Sequence, residues 1–457
     1  MRKARTIAML LALSAQSATA QMPDSLVTQG VKALSEFARI CALPSSAVWR
    51  VSLCGPMVLV DPESRGAIAN RRPPTGEFAE RDGMYVGTLP AEMWIANTAI
   101  DWRDERWTMV MLPLPDEPFD RRRLLAHEAF HRIQPALGVS AANAVVTQLE
   151  ERDARYWLRL ELRALSAVQL DSGDARARTA LSDALLFGEI RHRQFAGTDT
   201  LEAILELSEG LAEYTGILVA ARIDSVPPYV AVESARRSFE ARSTYVRSYG
   251  YGAGPALGLA LDRFAPGWRG RAGTIRSLSL ELARAVNWTP PTLMLDSGRA
   301  RAALYDAAVI AAEEDRRATA RAARLAAYRS ALIDGPRVIF QQRGLGGAFN
   351  PNTIVPLGAE GLVYPRRTVS AEWGELTVHS GGLLVASDLG SAYVTAAGIT
   401  IDDAAHKATG QGWELKMAAG WTIRPGTRPG DYEVVRRPPP LPTRPAREAL
   451  QKSSRGP

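Results

Sequence analysis

Two of the five histidines in this 457-residue chain stand four residues apart, in His127-Glu128-Ala129-Phe130-His131. On an α-helix, positions i and i+4 share a face, so both imidazoles can reach one ion about 2.0–2.1 Å from each nitrogen. Glu128 projects beside them and can reach a water on that ion without occupying the ion itself. This is the arrangement that acidifies water at neutral pH and then moves its proton. Leu124, Leu125, Phe130 and Ile133 give the segment an apolar face, which sets the histidines inside the protein.

Two histidines need a third protein ligand. A histidine six residues after the second is excluded, because Gln134 and Leu137 occupy the positions where HExxHxxGxxH requires Gly and His. His192, His379 and His406 are isolated. A carboxylate is the expected completion, giving a His2Glu site for one Zn2+ per chain. The segment ELSEGLAEYTG (206–216) places Glu209 and Glu213 on one helical face, with Gly210 leaving room for another helix to approach. Glu150, with eighteen residues between it and His131, is the other carboxylate to weigh.

On these residues the sequence resembles the gluzincin group of zinc metallopeptidases, over residues 95–265. The resemblance implies a glutamate ligand on a later helix, in a segment like NExxSD or EGxAEY. Glu209 falls where that ligand falls, and Glu213 where a carboxylate orients a metal-bound histidine. Glu150 has the HExxH-x18-E spacing of aminopeptidase-like members. Its surroundings, TQLEERDARYWL, lack the expected glycine and aromatic-acidic context, so Glu209 is preferred despite the 77 residues between it and His131. The resemblance also implies an oxyanion-stabilising tyrosine after the glutamate helix. In SYGYGAGPALGLALDRF, Tyr251 with Gly254 fits, and so does Tyr249 with Gly252; Tyr251 is placed first. Finally, it implies a strand before the active helix that holds extended peptide. WTMVMLPLP, from Trp107, stands at a suitable distance, either as that edge strand or as an interior one.

The elements that must position these groups follow from the patterning. SLVTQGVKALSEFARI reads as an amphipathic helix. It is followed by short β-branched and aromatic runs (AVWRVSL, MVLVD, MYVGTL, EMWIANTAI, WTMVMLPLP), which suit an antiparallel sheet. Residues 119–335 read as helices rich in Ala, Leu, Arg and Glu, with Asp120 as N-cap of the first and Pro135 and Gly138 at its end. Residues 336–437 return to short strands broken by Gly, Asp and Pro, as in a β-sandwich. The expected fold class is therefore α+β: an N-terminal mixed part (21–118), a helical zincin-like region and an all-β C-terminal domain. The tail, 438–457, is Pro- and Arg-rich and expected to be disordered.

Composition narrows the setting. Residues 1–20 combine a basic start, a short apolar run and Ala18-Thr19-Ala20, the pattern of a signal peptide. No later stretch is apolar enough to span a bilayer, so an exported protein without an integral span, periplasmic or extracellular, is expected. Of the formal charge of +6, Arg2, Lys3 and Arg5 contribute +3 and the stretch from Arg436 onward +5, leaving the body near −2. That distribution argues against a nucleic-acid partner. In an oxidising compartment Cys41 and Cys54 are expected to form a disulfide. The function these readings imply is a zinc peptidase acting on peptide or protein, with His127, His131 and Glu209 as ligands, Glu128 as proton carrier and Tyr251 as oxyanion donor. The alternative is a non-catalytic, zinc-stabilised envelope protein that binds glycan or protein through the C-terminal β domain.

Overall fold

The computed structural model describes residues 22–42, 48–170, 173–341 and 353–438. The signal-peptide reading, and all of the expected tail except Pro438, fall outside them. The chain divides into two compact units, Met1–Glu314 and Asp315–Pro457.

The first unit begins with α1 (Asp24–Ala42), followed by β1 (Met57–Val60), β2 (Gly66–Ala69), β3 (Glu77–Arg81), β4 (Met84–Thr88), β5 (Thr98–Trp102) and β6 (Glu105–Met111). These strands form one sheet in the order β3-β4-β2-β1-β6-β5, with β1 and β6 parallel and every other pair antiparallel. β6, which carries Trp107, is interior; β5 forms the edge. β1 is buried throughout and β6 from Trp107 to Val110, because α1 and α2 cover one face of the sheet and Trp102, Trp107 and Met109 pack on the other. The described part of AVWRVSL, from Val48, forms no strand. Its Trp49 instead packs on Phe130, Tyr214 and Trp268 and donates its indole N–H to Thr215 Oγ1 at 2.9 Å.

Helices then dominate: α2 (Pro118–Ile133), α3 (Arg152–Leu170), α4 (Asp174–Gln194), α5 (Thr198–Leu205), α6 (Leu211–Ile223), α7 (Pro228–Glu240), α8 (Tyr249–Phe264), α9 (Leu278–Ala285), α10 (Met294–Ala302) and α11 (Ala307–Arg329). α2 starts at Pro118, one turn earlier than an Asp120 cap would place it, because proline is suited to the first helical position. Arg121 of α2 makes a buried bidentate pair with Glu36 of α1, at 2.7 and 2.9 Å. A disulfide joins Cys41 to Cys54, tying the end of α1 to the segment entering β1.

The second unit contains the C-terminal part of α11 and an all-β region. Its strands are β7 (Arg337–Gln341), β8 (Val355–Pro356), β9 (Gly361–Tyr364), β10 (Arg367–Ala371), β11 (Gly374–Val378), β12 (Leu383–Ala386), β13 (Ser391–Thr395), β14 (Thr400–Asp402), β15 (Lys407–Gly410), β16 (Trp413–Met417), β17 (Trp421–Pro425) and β18 (Tyr432–Arg436). They form a seven-stranded sheet, β17-β18-β7-β13-β12-β9-β8, and a five-stranded sheet, β10-β11-β16-β15-β14. Alternate residues such as Val338, Phe340, Leu376, Trp413 and Leu415 point into a shared core. The fold is thus α+β, with an N-terminal sheet, a helical middle and an all-β end. Among the described residues, no helix is long and apolar enough to cross a membrane.

Candidate metal centre

The centre is assembled where α2 crosses the helical stretch from α5 to α6. That stretch is continuous, but its middle, Glu206–Gly210, winds as a π-helix. A single wide turn of this kind shifts the side chains that follow it and is frequent at functional sites. Two close approaches bring the helices together. A Cβ at Gly216 of α6 would lie 2.5 Å from the Arg123 carbonyl oxygen of α2. A Cβ at Gly254 of α8 would lie 2.2 Å from Gly210 Cα, so α8 rests directly on the π turn.

This packing brings His127, His131 and Glu209 together, one ligand atom from each lying within 4.8 Å of the others. The two Nε2 atoms are 3.2 Å apart, and Glu209 Oε2 lies 3.5 Å from His127 Nε2 and 3.9 Å from His131 Nε2. The outer nitrogens are both occupied. His127 Nδ1 is 3.0 Å from Glu213 Oε2, and His131 Nδ1 is 3.0 Å from Gln134 Oε1. Both partners are acceptors, so each Nδ1 carries a proton and both Nε2 atoms face inward, where a bound cation would take the place of any proton on them. Two imidazole Nε2 atoms facing each other and a carboxylate can serve as a donor set for a cation.

Each outer acceptor is itself held. Glu213 accepts from Arg123 Nη1 at 2.6 Å. Fully buried Gln134 donates its amide to the Ser140 carbonyl at 2.6 Å and, more weakly, to the Leu207 carbonyl at 3.5 Å, so its Oε1 must face His131. Gln134 therefore links one histidine to the π turn that carries Glu209. In the sequence Gln134 serves only to exclude a histidine ligand. Its place three residues after His131, at the end of the helix, was the available signal. Partners of this kind fix ligand orientation, and their loss costs about 10–100-fold in metal affinity. If the centre holds zinc, Gln134→Leu is expected to weaken its binding by that factor, measured by competition with a chromogenic chelator. Unchanged affinity would leave Gln134 with a packing role only.

The electrostatics favour positive charge at the centre. Burial lowers the His127 pKa, but hydrogen bonds to Glu209 and Glu213 and the charges of Glu128 and Glu213 outweigh it, and the value is pushed up to about 10. Burial raises the Glu209 carboxyl, yet the hydrogen bond to His127 and the charges of both histidines bring it down to about 2. Glu213 is held low, against burial, by the charge of Arg123 and by its bond to His127. Burial and the neighbouring His127 pull the His131 pKa down. Glu128 behaves differently. Burial carries it up to about 7, opposed by His127 and assisted by Glu209 and Glu213. Its Oε2 is buried and has no hydrogen-bond partner among the described residues.

The remaining sequence candidates separate clearly. Tyr251 stacks on His127, with ring centroids 5.4 Å apart and planes 13° from parallel. Burial and the charge of Glu209 hold its phenol pKa well above the ordinary value, so the hydroxyl keeps its proton. Tyr249 lies elsewhere, fully buried, donating to Glu206 Oε1 at 3.2 Å. Glu150 is also away from the cluster: it accepts from the Thr244 hydroxyl and from the Tyr245 N–H at 3.3 Å. Comparison of the chain with protein-family models, with curated proteins and with solved structures finds no match.

Proposed function

We propose that this is an exported zinc-dependent peptidase of the gluzincin type, with His127, His131 and Glu209 as the ligands of one zinc ion. The observation that carries this reading is the convergence of two inward-facing Nε2 atoms and a carboxylate oxygen. Bonds of about 2.0–2.1 Å in a tetrahedron put donor atoms about 3.3–3.4 Å apart. The separations of 3.2, 3.5 and 3.9 Å are close to that. The unpartnered Glu128 Oε2, beside the donor set, supports a polar guest there.

Zinc supplies a Lewis acid for a carbonyl and acidifies water. Glu128, poised near neutrality, takes a proton as the water oxygen bonds to the peptide carbonyl carbon, then delivers it to the leaving amine as the C–N bond breaks. Tyr251 keeps its proton and donates a hydrogen bond to the carbonyl oxygen as charge develops there. Arg123, through Glu213, holds His127 in one orientation. Strand β5, antiparallel to β6 and unpaired on its outer side within the sheet, offers a main-chain edge for an extended peptide. The Cys41–Cys54 bridge fits an oxidising compartment outside the cytosol.

The test is reversible metal removal. Purified protein is expected to hydrolyse members of a mixed peptide library, to lose that activity on chelation and to regain it with one equivalent of zinc. Zinc-loaded protein that cleaves no member would favour the non-catalytic envelope role.

A further inference from the structure

Beside the centre stands an arginine that the mechanism above does not use. Arg242 is partly exposed and lies in the loop 241–248 between α7 and α8. Its guanidinium sits over the Tyr251 ring, 5.1 Å from the centroid, and that same ring stacks on His127 at 5.4 Å. Among the described residues the guanidinium makes no hydrogen bond and no ion pair. Its neighbours in sequence are fully engaged: Arg236 bonds Glu233 and Glu240, Arg237 bonds Glu233, and Glu240 is shared further with Arg159 and Arg163.

The loop itself is pinned. Glu150 accepts from Thr244 and Tyr245, Val146 N–H donates to the Val246 carbonyl at 2.8 Å, and Tyr245 Oη donates to the Glu240 carbonyl at 2.9 Å. Arg155 lies 3.4 Å over the Tyr245 ring. Arg242 is therefore presented by a fixed backbone. Contact with Tyr251 leaves the five N–H donors of the guanidinium without a hydrogen-bond partner among the described residues, and that fork matches a carboxylate. The two ring contacts bound its distance from the His127 ring, so the guanidinium lies within the reach of about three extended residues at ~3.3–3.6 Å each.

We infer that Arg242 anchors a carboxylate of the peptide substrate, within about three residues of the bond cleaved. The inference rests on the peptidase reading. The carboxylate can be the chain's C-terminus or an Asp or Glu side chain, and the experiment separates the two. Zinc-loaded full-length Glu128→Gln protein, which binds without turnover, is titrated calorimetrically with short peptides. Each peptide is made as C-terminal acid and as amide, and with Glu or Gln at each internal position. One acidic form is expected to bind about 10–100-fold more tightly than its neutral partner. Adding Arg242→Ala should erase that difference, and Arg242→Lys should restore part of it.

Equal affinity of acidic and neutral forms, a preference that survives Arg242→Ala, or no binding of any form overturns the inference. Turnover with Glu128 intact adds a second readout. Arg242→Ala should raise KM for the acidic substrate and leave kcat unchanged. An equal fall in kcat for acidic and neutral substrates would make Arg242 a support for Tyr251 instead and overturn the anchor. Acid-selective binding without cleavage would remove the peptidase reading and keep the anchor, whereas cleavage with no acid preference would do the reverse.

Discussion

Glu128→Gln is expected to keep its zinc and to lose turnover by about 10²–10⁴-fold, the usual contribution of a positioned proton carrier. The substitution is nearly isosteric, so the buried space beside His127 stays filled. The amide cannot accept a proton from water at neutral pH, whereas the carboxyl, carried up to about 7 mainly by burial, can both accept and return one. Glu128 lies outside the cluster of His127, His131 and Glu209, so its loss should leave the donor set intact. Metal content and kcat measured on the same preparation check this result. Full zinc with undiminished turnover would remove Glu128 from the mechanism.

The second large effect concerns the two competing glutamates. Glu209→Ala removes a donor atom from the cluster and leaves the two imidazole nitrogens facing each other without it. The loss of zinc affinity should exceed the about 10–100-fold typical of an outer partner such as Gln134. Glu150→Ala should do something different. It leaves the Thr244 hydroxyl and the Tyr245 N–H without their shared acceptor in a buried setting, each worth about 1–3 kcal/mol. The expected result is a lower melting temperature and a looser 241–248 loop, with zinc retained. Calorimetric melting of the two variants measures the stability half of this contrast.

Much of the centre was legible because it is local. His127, Glu128 and His131 lie within one helical turn, and the spacing of Glu209 and Glu213 already put them on one face. What escaped is set by tertiary pairing. That β5, and not the Trp107 strand, forms the sheet edge depends on which strand pairs with β1, and periodicity carries no partner information. The π turn at Glu206–Gly210 has no compositional mark beyond Gly210, whose contact with Gly254 appears only once α8 is in place. Glu150 reads as a solvated charge in a charge-rich segment, yet it is buried as the anchor of a distant loop. The α+β class, by contrast, follows from the change of period along the chain, from alternation to helical repeats and back.

The most direct test of the account is the zinc-to-protein ratio of wild type, Glu209→Ala and Glu150→Ala after dialysis against a weak chelator, read by elemental analysis. The account predicts close to one zinc per chain in wild type and Glu150→Ala and none in Glu209→Ala. Zinc retained by Glu209→Ala and lost from Glu150→Ala would contradict it, and with it the assembly of the centre on the π turn.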